Sequence, residues 1–94
     1  MKTVGVIGAG QMGGGIALVA AATGFRTLVC DKLHDAINRC KADHEKRLNR
    51  DVEKGRMKAD DAKAALSRLS YLHHDEQLKD ADIIVEAVVE DAEV

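Results

Sequence analysis

Three glycines, Gly8, Gly10 and Gly13, stand in the spacing GxGxxG within Gly8-Ala9-Gly10-Gln11-Met12-Gly13. Each position meets a separate physical need where a chain must turn sharply and bring its backbone against a phosphate. Gly8 permits the turn, Gly10 leaves room for a pyrophosphate, and Gly13 lets the following helix pack closely on a strand. The amides that open such a helix lack internal partners and point at the anion, and the helix dipole adds partial positive charge. Downstream stands one acid, Asp31. At the end of a second strand its carboxylate accepts hydrogen bonds from the ribose hydroxyls of a dinucleotide. It would repel a 2′-phosphate, which favours NAD over NADP. Lys32, beside it, reads as a surface cation. Gly14 and Gly15 carry the glycine run into the helix, where each costs roughly 1 kcal/mol relative to alanine. Such a cluster implies close approach by a ligand or a strand.

The other chemistry-bearing side chains form no comparable set. His34, His44, His73 and His74 match no zinc-binding spacing with Cys30 and Cys40, so no metal site is assigned. All four histidines read as surface or partly packed residues away from the Gly-rich turn. None supplies a base within hydrogen-bond reach of a substrate hydroxyl, so no catalytic residue is assigned. Cys30, in an apolar run, reads as a small core residue. Two cysteines are too few for a disulfide framework.

The elements that must position the turn follow from periodicity. Lys2 to Ile7 is a short, β-branched run that predicts a buried parallel strand. Gln11 to Thr23 has helical spacing, with Met12, Ile16, Val19 and Ala20 along one side and Gly24 as its stop. Arg26 to Cys30 predicts a second strand, closed by Asp31. From Leu33 the chain becomes strongly charged, and Ile37, Cys40, His44, Leu48 and Val52 form one thin apolar stripe. That is a long helix ending at Gly55. Ala59 to Leu69 predicts another, with Ala62, Ala65, Leu66 and Leu69 on one face and Asp60 and Asp61 at its positive end. Together they make a helical hairpin from Leu33 to Leu69. Leu69 to Leu72 predicts a short strand, Glu76 to Lys79 a single helical turn, and Asp82 to Val89 a buried strand. This order gives an α/β, Rossmann-like parallel sheet in the order 3-2-1-4 with a helical hairpin insertion. The chain stops at Val94, so the expectation is the first part of a doubly wound domain, truncated after its fourth strand. That strand would be a hydrophobic edge open to pairing with another chain.

Composition bounds the function. Ninety-four residues make one domain or part of one. The only aromatics are Phe25 and Tyr71, too few for a base-stacking platform, and the net charge of −2 gives no field for nucleic-acid phosphates. No apolar stretch reaches the roughly 20 residues of a membrane span, and the first segment shows neither the cationic region nor the cleavage site expected of a signal-type leader. The expected compartment is cytoplasmic.

The segments KTVGVIGAGQMGGGIA, LVCDK, VEKGRM within the charged hairpin, and ADIIVEAVVED resemble the L-3-hydroxyacyl-CoA dehydrogenase family. The look is nearest to the bacterial 3-hydroxybutyryl-CoA dehydrogenases. The resemblance runs the length of the chain, residues 1–94, but covers only the N-terminal part of the family's NAD-binding domain. The second half and the helical dimerisation domain are expected to be absent. The resemblance implies an oxidoreductase that interconverts 3-hydroxyacyl-CoA and 3-ketoacyl-CoA with NAD, in fatty-acid or short-chain acyl-CoA metabolism. It implies that Gly8, Ala9, Gly10, Gln11, Met12 and Gly13 hold the pyrophosphate and Asp31 the adenosine ribose. Ala87 and Val88 would line the nicotinamide side, and Glu90 would match an acid near the nicotinamide ribose. Asp91 follows where the family usually has asparagine, which adds negative charge. Lys54 would match a hairpin lysine that contacts the CoA portion. As a cation at a helix C-terminus it has an equally good structural role. Arg47 stands on an earlier turn where the family often has serine, which leaves the acyl preference open. The family's catalytic histidine and glutamate are expected beyond Val94, so this chain alone should be inactive. An acyl-CoA substrate and a homo-oligomer, through the sheet edge, are the implied partners. Two alternatives stand beside this one. One is a dinucleotide-binding or assembly module without catalysis. The other is a different GxGxxG dehydrogenase class, of the 3-hydroxyacid or 6-phosphogluconate type, which typically lacks the long hairpin.

Overall fold

A computed structural model describes residues 2–87 of the chain. Strand β1 (Thr3–Ile7) leads through the Gly-rich turn into α1 (Gln11–Thr23), and β2 (Arg26–Cys30) follows. The hairpin is α2 (His34–Glu53) and α3 (Ala59–Arg68). Then come β3 (Leu69–Leu72), a 3-10 turn (Asp75–Leu78) and β4 (Ile83–Glu86). All strand pairs are parallel and the sheet runs β3-β2-β1-β4, as the sequence predicts. Val4 to Ile7 pairs with Thr27 to Cys30 on one side and Ile83 to Glu86 on the other. The first strand is therefore central, and its C-terminal end delivers the Gly-rich turn to the middle of the sheet's upper edge.

The main core lies between the sheet and α1 and α2. Val4, Val6, Ala17, Ala21, Val29, Ile37 and Cys40 are all buried there. A smaller cluster of Leu48, Ala62 and Ala65 joins α2 to α3. Leu78 closes the other face of the sheet, and a Cβ on Gly5 would lie 3.2 Å from its side chain. Arg68, at the end of α3, donates to the Ala21 carbonyl near the end of α1 at 2.7 Å. Two polar ties fix the start of the sheet. The amide of Thr3 donates to the Asp82 carboxylate, and that of Asp82 to the Thr3 carbonyl, each at 2.8 Å.

Two expectations about facing are corrected. Met12 and Val19 do not face the core, being 58% and 67% exposed. The buried face of α1 is instead Gly13, Gly14, Ala17 and Ala21. Small residues let the helix axis approach the sheet and α2, and shape complementarity there outweighs the larger apolar area of the opposite side. Second, β4 is not buried on both faces, because Ile83 and Ile84 are each about half exposed. It pairs with β1 on one side only, and the described residues lay no second layer over it. Its predicted continuation to Val89 runs outside the described residues.

Candidate functional site

The site starts at Gly8, whose φ of +107° is a conformation that L side chains rarely adopt. Its amide donates to the Cys30 carbonyl at 2.8 Å, so the turn begins while still tied to β2. The chain then reverses through Ala9 and enters α1 at Gly10. Gly10 is the N-cap, and no side chain caps the helix. The amides of Gln11, Met12 and Gly13 therefore lack helical acceptors. The next amide, of Gly14, donates to the Gly10 carbonyl at 2.8 Å.

The glycines separate by what surrounds them. A Cβ on Gly13 would lie 1.8 Å from the Gly8 carbonyl oxygen, so Gly13 is the residue that lets the helix sit on the turn. Around Gly10 there is nothing within 4 Å, which is the open cradle a pyrophosphate needs. Gly14 packs against a helix and not a strand. Its free side is taken by Cys40 Sγ at 3.3 Å and His44 Nε2 at 3.7 Å, both from α2. Gly15 has open space and no packing reason to be glycine, so the expectation of close approach to both is corrected. The partner at Gly14 is a side chain 26 residues and more away in sequence, which no local signal indicates.

Asp31 does more than the motif requires. Its Oδ2 accepts the Ala9 amide and its Oδ1 the Leu33 amide, both at 2.9 Å. One carboxylate thus clamps the Gly-rich turn to the loop before α2. Each oxygen keeps a second lone pair for a ribose hydroxyl. Ala87 is buried against the same turn, with its amide donating to the Ile7 carbonyl at 2.8 Å. Val88, Glu90 and Asp91 lie outside the described residues.

A cavity of about 380 Å³ opens between the turn and α2. Ala9, Gly10, Gln11 and Gly14 form one wall, and Ala36, Arg39, Cys40, Asp43 and Arg47 the other. Arg47 pairs with Asp43 at 2.8 Å, one turn apart on α2. Arg39 adds a second guanidinium to the rim, so the wall carries a net positive charge opposite the helix N-terminus. Arg39 stands outside the apolar stripe of α2, so the spacing that marks the stripe gives no sign of it. Lys54 is exposed at the C-cap of α2 and does not line the cavity. Seven residues of helix put it about 10 Å farther along the axis than Arg47.

His44 corrects the reading of the histidines. It is fully buried, 2.7 Å from the Gly14 carbonyl through Nε2 and 2.7 Å from the Tyr71 hydroxyl through Nδ1. Its place in the apolar stripe of α2 prevailed over its polarity, because both ring nitrogens find partners. Burial lowers its pKa below the usual imidazole value. Burial likewise pushes the Cys40 thiol up to about 11 and the Tyr71 phenol well above its ordinary value. The rings of His34 and His73 lie against each other at a tilt of 43°, centroids 4.0 Å apart.

A protein-family profile described as "3-hydroxyacyl-CoA dehydrogenase, NAD binding domain" matches residues 3–94. The chain is 42% identical over 90 residues to the "Probable 3-hydroxybutyryl-CoA dehydrogenase" of Deinococcus radiodurans, covering 96% of this chain and 32% of that protein. It is 40% identical over 94 residues to the 3-hydroxybutyryl-CoA dehydrogenase of Bradyrhizobium diazoefficiens, covering all of this chain and 32% of that one. Among solved structures, a 3-hydroxybutyryl-CoA dehydrogenase from Escherichia coli K12 superposes with a TM-score of 0.91 at 38% identity. That match covers 95% of this chain and 19% of the other. The chain thus spans about a third of the length of these two curated relatives.

Proposed function

The chain belongs to the 3-hydroxyacyl-CoA dehydrogenase NAD binding domain family, and from that premise we propose that it is the cofactor-holding portion of an enzyme that interconverts 3-hydroxyacyl-CoA and 3-ketoacyl-CoA. NAD is the family's cofactor, and when bound it supplies the hydride acceptor. The chain's own residues do the holding. Gly8 to Gly13 cradle the pyrophosphate on open helix amides, and Asp31 takes the adenosine ribose. Ala87, with Val88 and Glu90 beyond the described residues, belongs to the nicotinamide side. The observation that carries this reading is the pairing of an uncapped helix and an open Gly10 with a carboxylate already fixed at the end of β2.

Lys54 and the basic rim at Arg39 and Arg47 suit the phosphates of an acyl-CoA, whose extended form reaches along α2. No histidine lines the cavity, so proton transfer is assigned to residues of the longer protein and this chain alone is expected to turn over no substrate. Self-association through the open edge of β4 is the homo-oligomer reading. No helix among the described residues is long and apolar enough to cross a membrane, and two buried thiols suit a reducing, cytoplasmic compartment.

The test is calorimetric titration of the chain with NADH and NADPH. Saturable NADH binding, weaker for NADPH, is expected. Asp31→Ala should weaken NADH binding and narrow the preference. Two hydrogen bonds, one part-buried and one exposed, are also lost, so about 2 kcal/mol of stability should go with them. Equal affinity for the two cofactors in the wild type would overturn the role of Asp31.

A further inference from the structure

We propose that His44 is a positioning residue for the dinucleotide site, holding the first turn of α1 at the distance from α2 that the cavity requires. The proposal rests on the cofactor reading above. Its geometry is a buried chain of three groups from three elements. A carbonyl only accepts, so at 2.7 Å from Gly14 O the Nε2 of His44 must carry the proton. In the neutral ring that burial favours, Nδ1 has a lone pair and accepts from the Tyr71 hydroxyl at 2.7 Å. The ring is neutral and fixed in one tautomer. It ties α1 to α2 and, through Tyr71, to β3.

The tie sits just behind the site. Gly14 and Cys40 both line the cavity, one on each wall. The same Gly14 donates its amide to Gly10, the cap whose open side faces the pyrophosphate. A shift of Gly14 therefore moves the amides that aim at the phosphate and widens or narrows the cavity together. Nothing else among the described residues offers a side-chain hydrogen bond between α1 and α2.

A consequence follows for pH. Protonated at Nδ1, the ring would have to donate to the Tyr71 hydroxyl instead of accepting from it, and a cation would be placed in the buried core. The groups that face the ring are Cys40, Asp43 and Arg47 on its own helix and Tyr71 from β3, with Glu45 acting on Tyr71 and Asp31 on Cys40. From α1 it meets only the Gly14 carbonyl. Burial opposes the cation most strongly; the hydrogen bond to the Gly14 carbonyl and, less, Asp43 favour it, and Arg47 opposes it.

The experiment compares wild type with His44→Gln, His44→Leu and Tyr71→Phe. NAD affinity is measured by calorimetry from neutral pH down to well below the ordinary imidazole pKa of about 6.5, because burial lowers the pKa of the folded ring. Gln can donate to the same carbonyl but does not titrate. His44→Gln should keep wild-type affinity above that lowered pKa and lose the drop in affinity that the wild type shows below it. His44→Leu should bind about fivefold more weakly above it, the fold-change of one lost hydrogen bond. Tyr71→Phe should keep the Gly14 tie and show a smaller loss. Amide hydrogen exchange without ligand supplies the independent readout. In His44→Leu, residues 13–17 should exchange faster while the C-terminal half of α1 is unchanged. Wild-type affinity in His44→Leu, or the same acid drop in His44→Gln, would overturn the proposal. If the wild type binds no NAD, the cofactor reading fails, and exchange at residues 13–17 still rules on the tie: unchanged rates in His44→Leu reject it. Should His44→Leu not fold, the His44→Gln pH comparison decides alone.

Discussion

Gly10 and Gly13 belong to one motif but carry opposite burdens, and two substitutions separate them. A methyl group at Gly13 would overlap the Gly8 carbonyl, and backbone cannot move aside as a flexible side chain can. Gly13→Ala is expected to cost about 3 kcal/mol, the upper range for overpacking. At about 4–8 °C per kcal/mol for a domain of this size, the melting temperature should fall by at least about 10 °C. Gly10→Ala meets no atom within 4 Å, and its φ of −73° suits any L residue. Its melting temperature should stay near that of the wild type while NADH binding is lost, because the methyl group occupies the space of the pyrophosphate. A Gly10→Ala protein that binds NADH normally would remove the turn from the site. Thermal unfolding and calorimetry on the same two proteins read both effects. The spacing of the motif was plain in the sequence. Which glycine answers to backbone, which to ligand and which to another helix was not, because that depends on neighbours distant in the chain.

At the level of elements, most of the fold was legible. The bounds of α1 and the existence of β3 follow from apolar spacing and from Gly24, and strand order follows from right-handed crossovers. Facing was less legible. Met12 and Val19 suggest the wrong side of α1 while Ile16 and Ala20 do pack against the core, since close packing of glycine and alanine leaves no hydrophobic stripe of the usual kind. His44 was hidden for a related reason. A polar residue at an apolar position is ambiguous until its partners, Gly14 and Tyr71, are known. The edge β4 is the third case, with its apolar run partly open to water. Ile83 and Ile84 point to opposite faces and both remain about half exposed. An exposed edge of this kind pairs readily. Sedimentation of the wild-type chain at rising concentration should show self-association, and Ile84→Lys should reduce it. A wild type that stays monomeric throughout would sink the edge as an interface.

For the molecule as a whole, three titratable groups at the wall of the cavity and behind it, Cys40 and His44 buried and Tyr71 half-buried, set a pH window for stability. Each is held in its neutral form, so each loses stability on the side where the unfolded chain ionises. His44 has a lowered pKa in the folded state. Its contribution is fully present above the unfolded value of about 6.5 and falls away as pH drops from there towards the folded pKa. Cys40 is an acid raised from 9.0 to about 11, so its contribution is present below 9.0 and is lost as pH climbs towards 11. Tyr71, also raised, begins to lose its contribution above its ordinary value of 10.0. Stability should therefore be greatest between about pH 6.5 and 9 and decline on both flanks. A two-unit shift corresponds to about 2–3 kcal/mol, so Cys40 alone should make the alkaline flank measurable. Urea unfolding midpoints across this range provide the check. His44→Gln should flatten the acid flank and leave the alkaline one, whereas Cys40→Ala should do the reverse. If both variants keep the wild-type profile, other groups govern the window and the buried cluster is electrostatically silent.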